Sequence, residues 1–281
     1  MLLGSLLTGG YKLRNQKAEA LAQEAAEYVG SVLGVDSGPI GVVLGTGWGD
    51  KLYLDNRREV SFERVPGFGR LSALEGHSRK FVAGSCGGKQ VLVLNGRVHL
   101  NEAPADPMVH QMVRLQTETL MRLGVKKLIV TCAAGALPDT DIAVGNLVLI
   151  DGFLTLFAPE MPLFAGEFCS PEDVLSIRNF ITASSSYSGG VERGVYAMVR
   201  GPFFEGRRCD KRALRQAGAD IVGMSTLPEA CIGALYGAEV QALAFITNDC
   251  EETHDHKTNL RRAAEASEQL GFCLSEIVKA T

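Results

Sequence analysis

The chain has 281 residues but one tryptophan, 10 prolines and 5 histidines, and it lacks internal repeats, low-complexity tracts and any proline-rich linker. Those absences exclude solenoid and collagen-like architectures. No apolar run approaches the ~20 residues that cross a bilayer, and the apolar start MLLGSLLTGG is short and has no basic flank. An excess of positive charge is also missing: 28 Lys and Arg stand against 32 Asp and Glu, for a formal net charge of −4. Non-specific binding to nucleic acid or to an anionic membrane needs a basic field, so neither partner is expected, although a local anion pocket is compatible with the balance. The 7 cysteines are odd in number and scattered, with no CxxC or zinc-type spacing. They read as buried thiols in a reducing compartment, and a cytoplasmic protein is expected. Hydrophobic residues make up 46% and charged residues 21%, enough for a large core. Glycine is abundant, at 32 residues, and glycines either punctuate loops or let backbone N–H groups approach a ligand.

Apolar positions Leu21, Ala25, Tyr28 and Val32 predict an amphipathic helix over 16–33, stopped at Gly34. Short apolar runs at 40–44, 81–84, 90–94, 127–131, 146–150, 195–199 and 239–247 read as strands. Helical spacing recurs at 109–123, 174–181, 211–217, 229–236 and from 256 to the C-terminus, and 182–190 (TASSSYSGG) reads as an exposed loop. Alternating strands and helices predict a single α/β domain over 1–281: a central mixed β-sheet flanked by helices, with an N-terminal helical segment (1–39) packed on it.

In open α/β sheets ligands bind beyond the carboxyl ends of strands, so the residues just after each apolar run are the candidates for chemistry. GTGWGD (45–50) places the Thr46 hydroxyl between glycines, a shape suited to an anion or to a plain turn. It is neither a P-loop nor a dinucleotide fingerprint. After 90–94, Arg97 and His99 would share one face if the strand persists, a pairing suited to a phosphate; each alone also fits a surface ion pair or a satisfied core imidazole. Cys132-Ala133-Ala134-Gly135-Ala136 leaves backbone accessible, or packs tightly against a helix. Gly201-Pro202-Phe203-Phe204-Glu205 joins aromatics to a carboxylate that can read a heterocycle. Ser225, ahead of a helix, fits an anion site or an N-cap.

Taken in order, LGTGWGD, EGHSRKFVAG, NGRVHLNEA, TCAAGAL, GPFFE, VGMSTLPE and FITND give the chain, from about Ile40 onward, a resemblance to the trimeric purine nucleoside phosphorylases and the related methylthioadenosine phosphorylases. The resemblance implies a nucleoside phosphorylase-like fold and phosphate-dependent cleavage of purine (deoxy)ribonucleosides to base and (deoxy)ribose 1-phosphate, in purine salvage. It implies a homotrimer with no metal or organic cofactor, inorganic phosphate being a co-substrate. Carried over by motif, Thr46, His77, Arg97, His99, the Ala133 backbone and Ser225 would hold phosphate. Phe204, Glu205 and Asn248 would bind the base, and Asn101, Met224 and His256 would line the ribose, with His254 close by. Asn248, Glu205 and His99 would carry the catalysis, and Phe168 would reach a neighbouring subunit's site.

Four departures bear on specificity. Asn101 stands where the family has tyrosine, Cys132 where it has asparagine, and Asp249 where 6-oxopurine enzymes are often basic. The segment 151–168 differs from its family counterpart and is shorter. Asp249 keeps a methylthioadenosine-type substrate open, and the Asn101 and Cys132 changes keep a catalytically silent nucleoside-binding homologue open.

Overall fold

The computed structural model describes residues 2–35, 38–69, 78–176, 187–201, 206, 208–252 and 255–281, with backbone alone for 2–14 and 256. The segment 182–190 and the expected helix at 174–181 lie largely outside the described residues, as do His77, Phe204, Glu205 and His254.

The chain runs α1 (Leu2–Leu33), β1 (Ile40–Leu44), β2 (Asp55–Ser61), β3 (Lys80–Cys86), β4 (Lys89–Asn95), α2 (Pro107–Arg122), β5 (Lys127–Ala136), β6 (Leu147–Leu154) and β7 (Val191–Met198). It continues with α3 (Asp210–Gln216), β8 (Ile221–Gly223), α4 (Leu227–Leu235), β9 (Glu239–Asn248), α5 (His256–Glu265) and α6 (Ser267–Ala280). The strands form one mixed sheet in the order β2-β3-β4-β1-β5-β8-β7-β6-β9, and β9 also pairs with β5. That second pairing closes β5, β8, β7, β6 and β9 into a ring. The α/β mixed-sheet expectation therefore stands.

Burial explains the layers. In β1 all five residues are buried, and alternate side chains feed opposite faces: Val43 joins one core, Ile40, Val42 and Leu44 the other. The first core holds Ala22 and Val29 of α1, Met112 and Val113 of α2, and Ala230 of α4. The second holds Trp48 with Leu270, Leu274 and Ile277 of α6. At the start of α2 the Asp106 carboxylate accepts from the Met108 N–H at 2.8 Å, with Pro107 in the first turn, a well-formed cap.

Several boundaries differ from expectation. α1 begins at Leu2 rather than 16, because glycines in MLLGSLLTGG obscure the helical period. The edge strand β2 was not expected: in DNRREVS only Val60 is buried, and a charged edge strand has no apolar alternation to read. The three-residue β8 was also unexpected. The C-terminal helix is two, divided at Ala266. Most consequentially, β5 continues past Thr131 to Ala136, so the TCAAGA stretch is strand and not loop, with Ala133 opposite Phe245 of β9.

Candidate active site

At the end of β1, Gly45 sits so close to β5 that a Cβ there would collide with Arg97 Nη2 and the Thr131 carbonyl. The following turn is pinned to β5 by Trp48, which is 1% exposed and donates from Nε1 to the Cys132 carbonyl at 2.8 Å. Thr46 lies half-buried in that turn.

β4 stops at Asn95, so Arg97 and His99 do not share a strand face. Arg97 turns inward and is 1% exposed. Its Nη2 donates to the Thr131 carbonyl at 2.9 Å and to Ser225 Oγ at 3.1 Å, and Nη1 lies 3.3 Å from Glu229 Oε2. The physical reason is Glu229, a buried acid in the first turn of α4 that supplies a counter-charge inside the protein. Gln116 of α2 bonds Glu229 at 3.4 Å and clamps both backbone groups of Val98, which fixes the chain on either side of the guanidinium.

His99 precedes a single 3-10 turn over Leu100–Glu102. Its backbone N–H donates to Glu102 Oε1 at 2.8 Å and its Nδ1 lies 3.5 Å from the same oxygen, while Glu102 Oε2 accepts from Arg79 Nη2 at 2.6 Å. Burial pulls the His99 pKa down against the opposing pull of Glu102, so the imidazole is neutral at pH 7, with Nε2 turned away from Glu102. Glu102 is held below the ordinary carboxylate range: burial pushes it up, but hydrogen bonds from His99 and the charge of Arg79 prevail.

Ser225 does not cap α4. Thr226 takes that position with φ +78° and no side-chain cap bond, a strained conformation for a β-branched residue. The Ser225 hydroxyl is thereby left to Arg97, and its N–H donates to the hydroxyl of the fully buried Tyr196 at 3.2 Å. Burial pushes the Tyr196 phenol up, so it stays protonated.

Asn248 ends β9 at 4% exposure. Its Oδ1 accepts from Thr247 Oγ1 at 3.3 Å, and its Nδ2 is buried without a hydrogen-bond partner among the described residues. A Cβ on Gly135 would stand 2.7 Å from that nitrogen, so a glycine on β5 makes room for the amide. Beyond it, the Asp249 carboxylate folds back on its own turn, accepting from the N–H groups of Glu251 (2.8 Å) and Glu252 (3.0 Å).

Residues 39–279 match the family model described as the phosphorylase superfamily. The chain belongs to this superfamily. Within it, the chain is 32% identical over 266 residues to the purine nucleoside phosphorylase of Mycobacterium tuberculosis, covering 92% of this chain and 96% of that protein. To purine nucleoside phosphorylase 1 of Bacillus subtilis it is 30% identical over 257 residues, covering 87% and 92%. Among solved structures, isoform 2 of purine nucleoside phosphorylase from Schistosoma mansoni in complex with cytosine and ribose-1-phosphate matches with a TM-score of 0.79 at 26% identity, covering 92% of this chain and 96% of that one. A Schistosoma purine nucleoside phosphorylase in complex with hypoxanthine matches at 0.77 and 26%, with the same coverage.

In this member of the superfamily, Arg97 and Ser225 meet directly, and His99 lies within the field of Arg97 and Glu229. The β5–β9 pairing sets Ala133 opposite Phe245 and Asn248 opposite Gly135. Asn101 Oδ1 accepts from the Gly201 N–H at 2.8 Å, and its Nδ2 is buried with no hydrogen-bond partner among the described residues. It thus holds the head of the segment that carries Phe204 and Glu205. Met224 packs partly buried against Leu137, Val199 and Leu214. His77, Phe204, Glu205 and the His256 side chain lie outside the described residues. Phe168 is 82% exposed, on a segment held to α2 by Arg114, which bonds Glu167 twice, at 2.6 and 2.7 Å, and stacks on Phe164. Sequence reasoning missed Glu229, Gln116, Tyr196 and Trp48. Glu229 left a signal as an acid within VGMSTLPE at the start of a helix, and Trp48 as the aromatic within LGTGWGD. Among the described residues no group of three or more His, Cys, Asp or Glu is arranged to hold a metal, and no helix is long and apolar enough to cross a membrane.

Proposed function

We propose that this protein is a purine nucleoside phosphorylase that cleaves 6-oxopurine (deoxy)ribonucleosides, such as inosine and guanosine, with inorganic phosphate. The products are the free base and (deoxy)ribose 1-phosphate, and the role is purine salvage by a single-domain cytoplasmic enzyme. The observation that carries the proposal is the buried Asn248 amide, whose Nδ2 lacks a hydrogen-bond partner among the described residues and which pairs with Gly135 of β5, the strand whose Thr131 carbonyl holds Arg97 in its preassembled cluster with Ser225.

In this reading the N9–C1′ bond loosens first, its electron pair leaving with the purine, and a phosphate oxygen then bonds C1′ from the opposite face. Asn248 Nδ2–H donates to N7 or O6 and gains strength as charge develops there. Glu205 accepts from N1–H, and Phe204 packs on the base. Arg97, Ser225, Thr46, His77, His99 and the Ala133 backbone hold phosphate. His99 is neutral and its Nδ1 faces Glu102, which leaves Nε2 to meet phosphate. Asn101, Met224 and His256 line the ribose. The exposed Phe168, with Leu156 and Phe157, supports a homotrimer in which this segment reaches a neighbouring site. Positioning and electrostatics do the work, with no covalent protein nucleophile.

The Asp249 Oδ1 accepts from two N–H groups of its own turn, and its second oxygen keeps a 6-amino substrate in the comparison. A panel of inosine, guanosine, adenosine and methylthioadenosine, each with and without phosphate, tests the proposal. Phosphate-dependent turnover of the first two is expected. Turnover without phosphate, or preference for methylthioadenosine, overturns it.

A further inference from the structure

Lys211, in the first turn of α3, has a side chain only 1% exposed. Lysine is seldom buried, because removing an ammonium from water is costly unless its donors are all met. Here Nζ donates to three backbone carbonyls, those of Asp249 at 3.2 Å, Cys250 at 3.3 Å and Glu252 at 3.4 Å. The described residues give it no carboxylate at ion-pair distance. An apolar chain of the same length would fill the space without that cost. What the ammonium adds is the gathering of three carbonyls into one place.

Those carbonyls belong to the turn that directly follows Asn248. On the other flank, Arg262 of α5 donates to the Thr247 carbonyl at 2.6 Å and grips Glu252 through both nitrogens at 2.6 and 2.7 Å. The Asp249 N–H closes the circuit on Glu252 Oε2 at 3.3 Å. The carbonyls on either side of Asn248 are thus each held by a cation, Thr247 by Arg262 and Asp249 by Lys211. Lys211 is held at its own backbone as well. Its N–H donates to the Gly206 carbonyl at 3.1 Å, and the Gly206 N–H donates to Asp210 Oδ2 at 2.7 Å. In sequence Gly206 is the immediate neighbour of Glu205.

We propose that Lys211 is a positioning residue for base departure: by gathering the carbonyls of the turn after β9 it fixes the Asn248 carboxamide where the purine leaves. This inference rests on the purine nucleoside phosphorylase reading, and its test separates the two. Lys211→Met and the milder Lys211→Gln, which keeps two N–H donors should the first not fold, are compared with wild type on guanosine and on 7-methylguanosine. The N7 of the second substrate is already alkylated and needs no donor. The expected result is a fall in kcat for guanosine of at least about fivefold, with KM for phosphate unchanged and 7-methylguanosine altered less than about twofold. In an Asn248→Ala background Lys211→Met costs nothing further, because both act through one amide. Equal losses on the two substrates, additive losses, or wild-type rates overturn the proposal. If the wild-type protein turns over neither nucleoside, the functional reading falls by itself. Amide hydrogen exchange over 248–252 then decides the grip: faster exchange in the variants upholds it, and unchanged exchange overturns it.

Discussion

The Arg97 cluster and the end of β9 are both anchored on β5, at Thr131 and at Gly135, yet they carry burial in opposite ways. Arg97 comes to its place already neutralised, with Glu229, the Thr131 carbonyl and Ser225 around it before any anion arrives. Asn248 has a donor that meets no acceptor among the described residues. A guanidinium cannot be buried without its counter-acid, so the first region is coupled to folding. A neutral amide can be left open at a cost of about 1–3 kcal/mol, so the second can be kept for a ligand. Substitutions should therefore read as stability at one region and as activity at the other.

The largest expected effect is at Arg97. Arg97→Met strands the Glu229 carboxylate and should cost about 3–5 kcal/mol in denaturant unfolding, most of it recovered when Glu229→Leu is added. A loss below about 1 kcal/mol would break the contrast. Next comes Asn248→Ala, which should lower kcat/KM for inosine at least tenfold, ~1.4 kcal/mol in the barrier, while unfolding shifts by less than about 1 kcal/mol. A smaller rate loss removes the leaving-group role. Gly135→Ala should rank third, since its methyl group would press on Asn248 Nδ2, the movable end of a side chain. Turnover should drop severalfold, toward the ~100-fold that an ångström of misplacement can cost, with little change in stability.

The smallest effect is a pH dependence set by His99. Its pKa is lower in the folded protein than the ordinary 6.5, so below that pH the unfolded chain binds the proton more readily. Its contribution to stability is complete above about pH 6.5 and is lost as pH falls through the depressed folded value. His99→Gln should flatten the unfolding free energy over this acidic window, measured by urea titration in a pH series. Glu102 adds a loss of the same sign at lower pH, because its folded pKa is lowered beneath 4.5.

How much of the molecule is legible in the sequence depends on how local each cause is. β1 and β9 announce themselves because their apolar runs are buried nearly throughout. The tail of β5 has the composition of a turn, and it is strand because β9 lies beside it, a partner no local window contains. Arg97 stands out as a chemical group, but its direction does not, since the groups that draw it inward are distant in the chain, Ser225 being 128 residues away. Lysine in a charged stretch such as RRCDKR reads as surface, whereas Lys211 is buried by carbonyls supplied after β9. Asp249 stands out as an acid, but the engagement of its Oδ1 by its own turn is not legible in the sequence.

The ring of strands has a consequence for how the molecule comes into being. Thr247 and Ala134 are 113 residues apart and touch across the β5–β9 pair that completes the circuit. During synthesis β5 leaves the ribosome long before β9 exists, so one edge of the ring stays open and adhesive while the chain between them is made. Pairing at such separation is slow because loop closure precedes any reward. The last strand to be translated both seals that edge and delivers Asn248, so the ring closes and that amide reaches its place in a single late event.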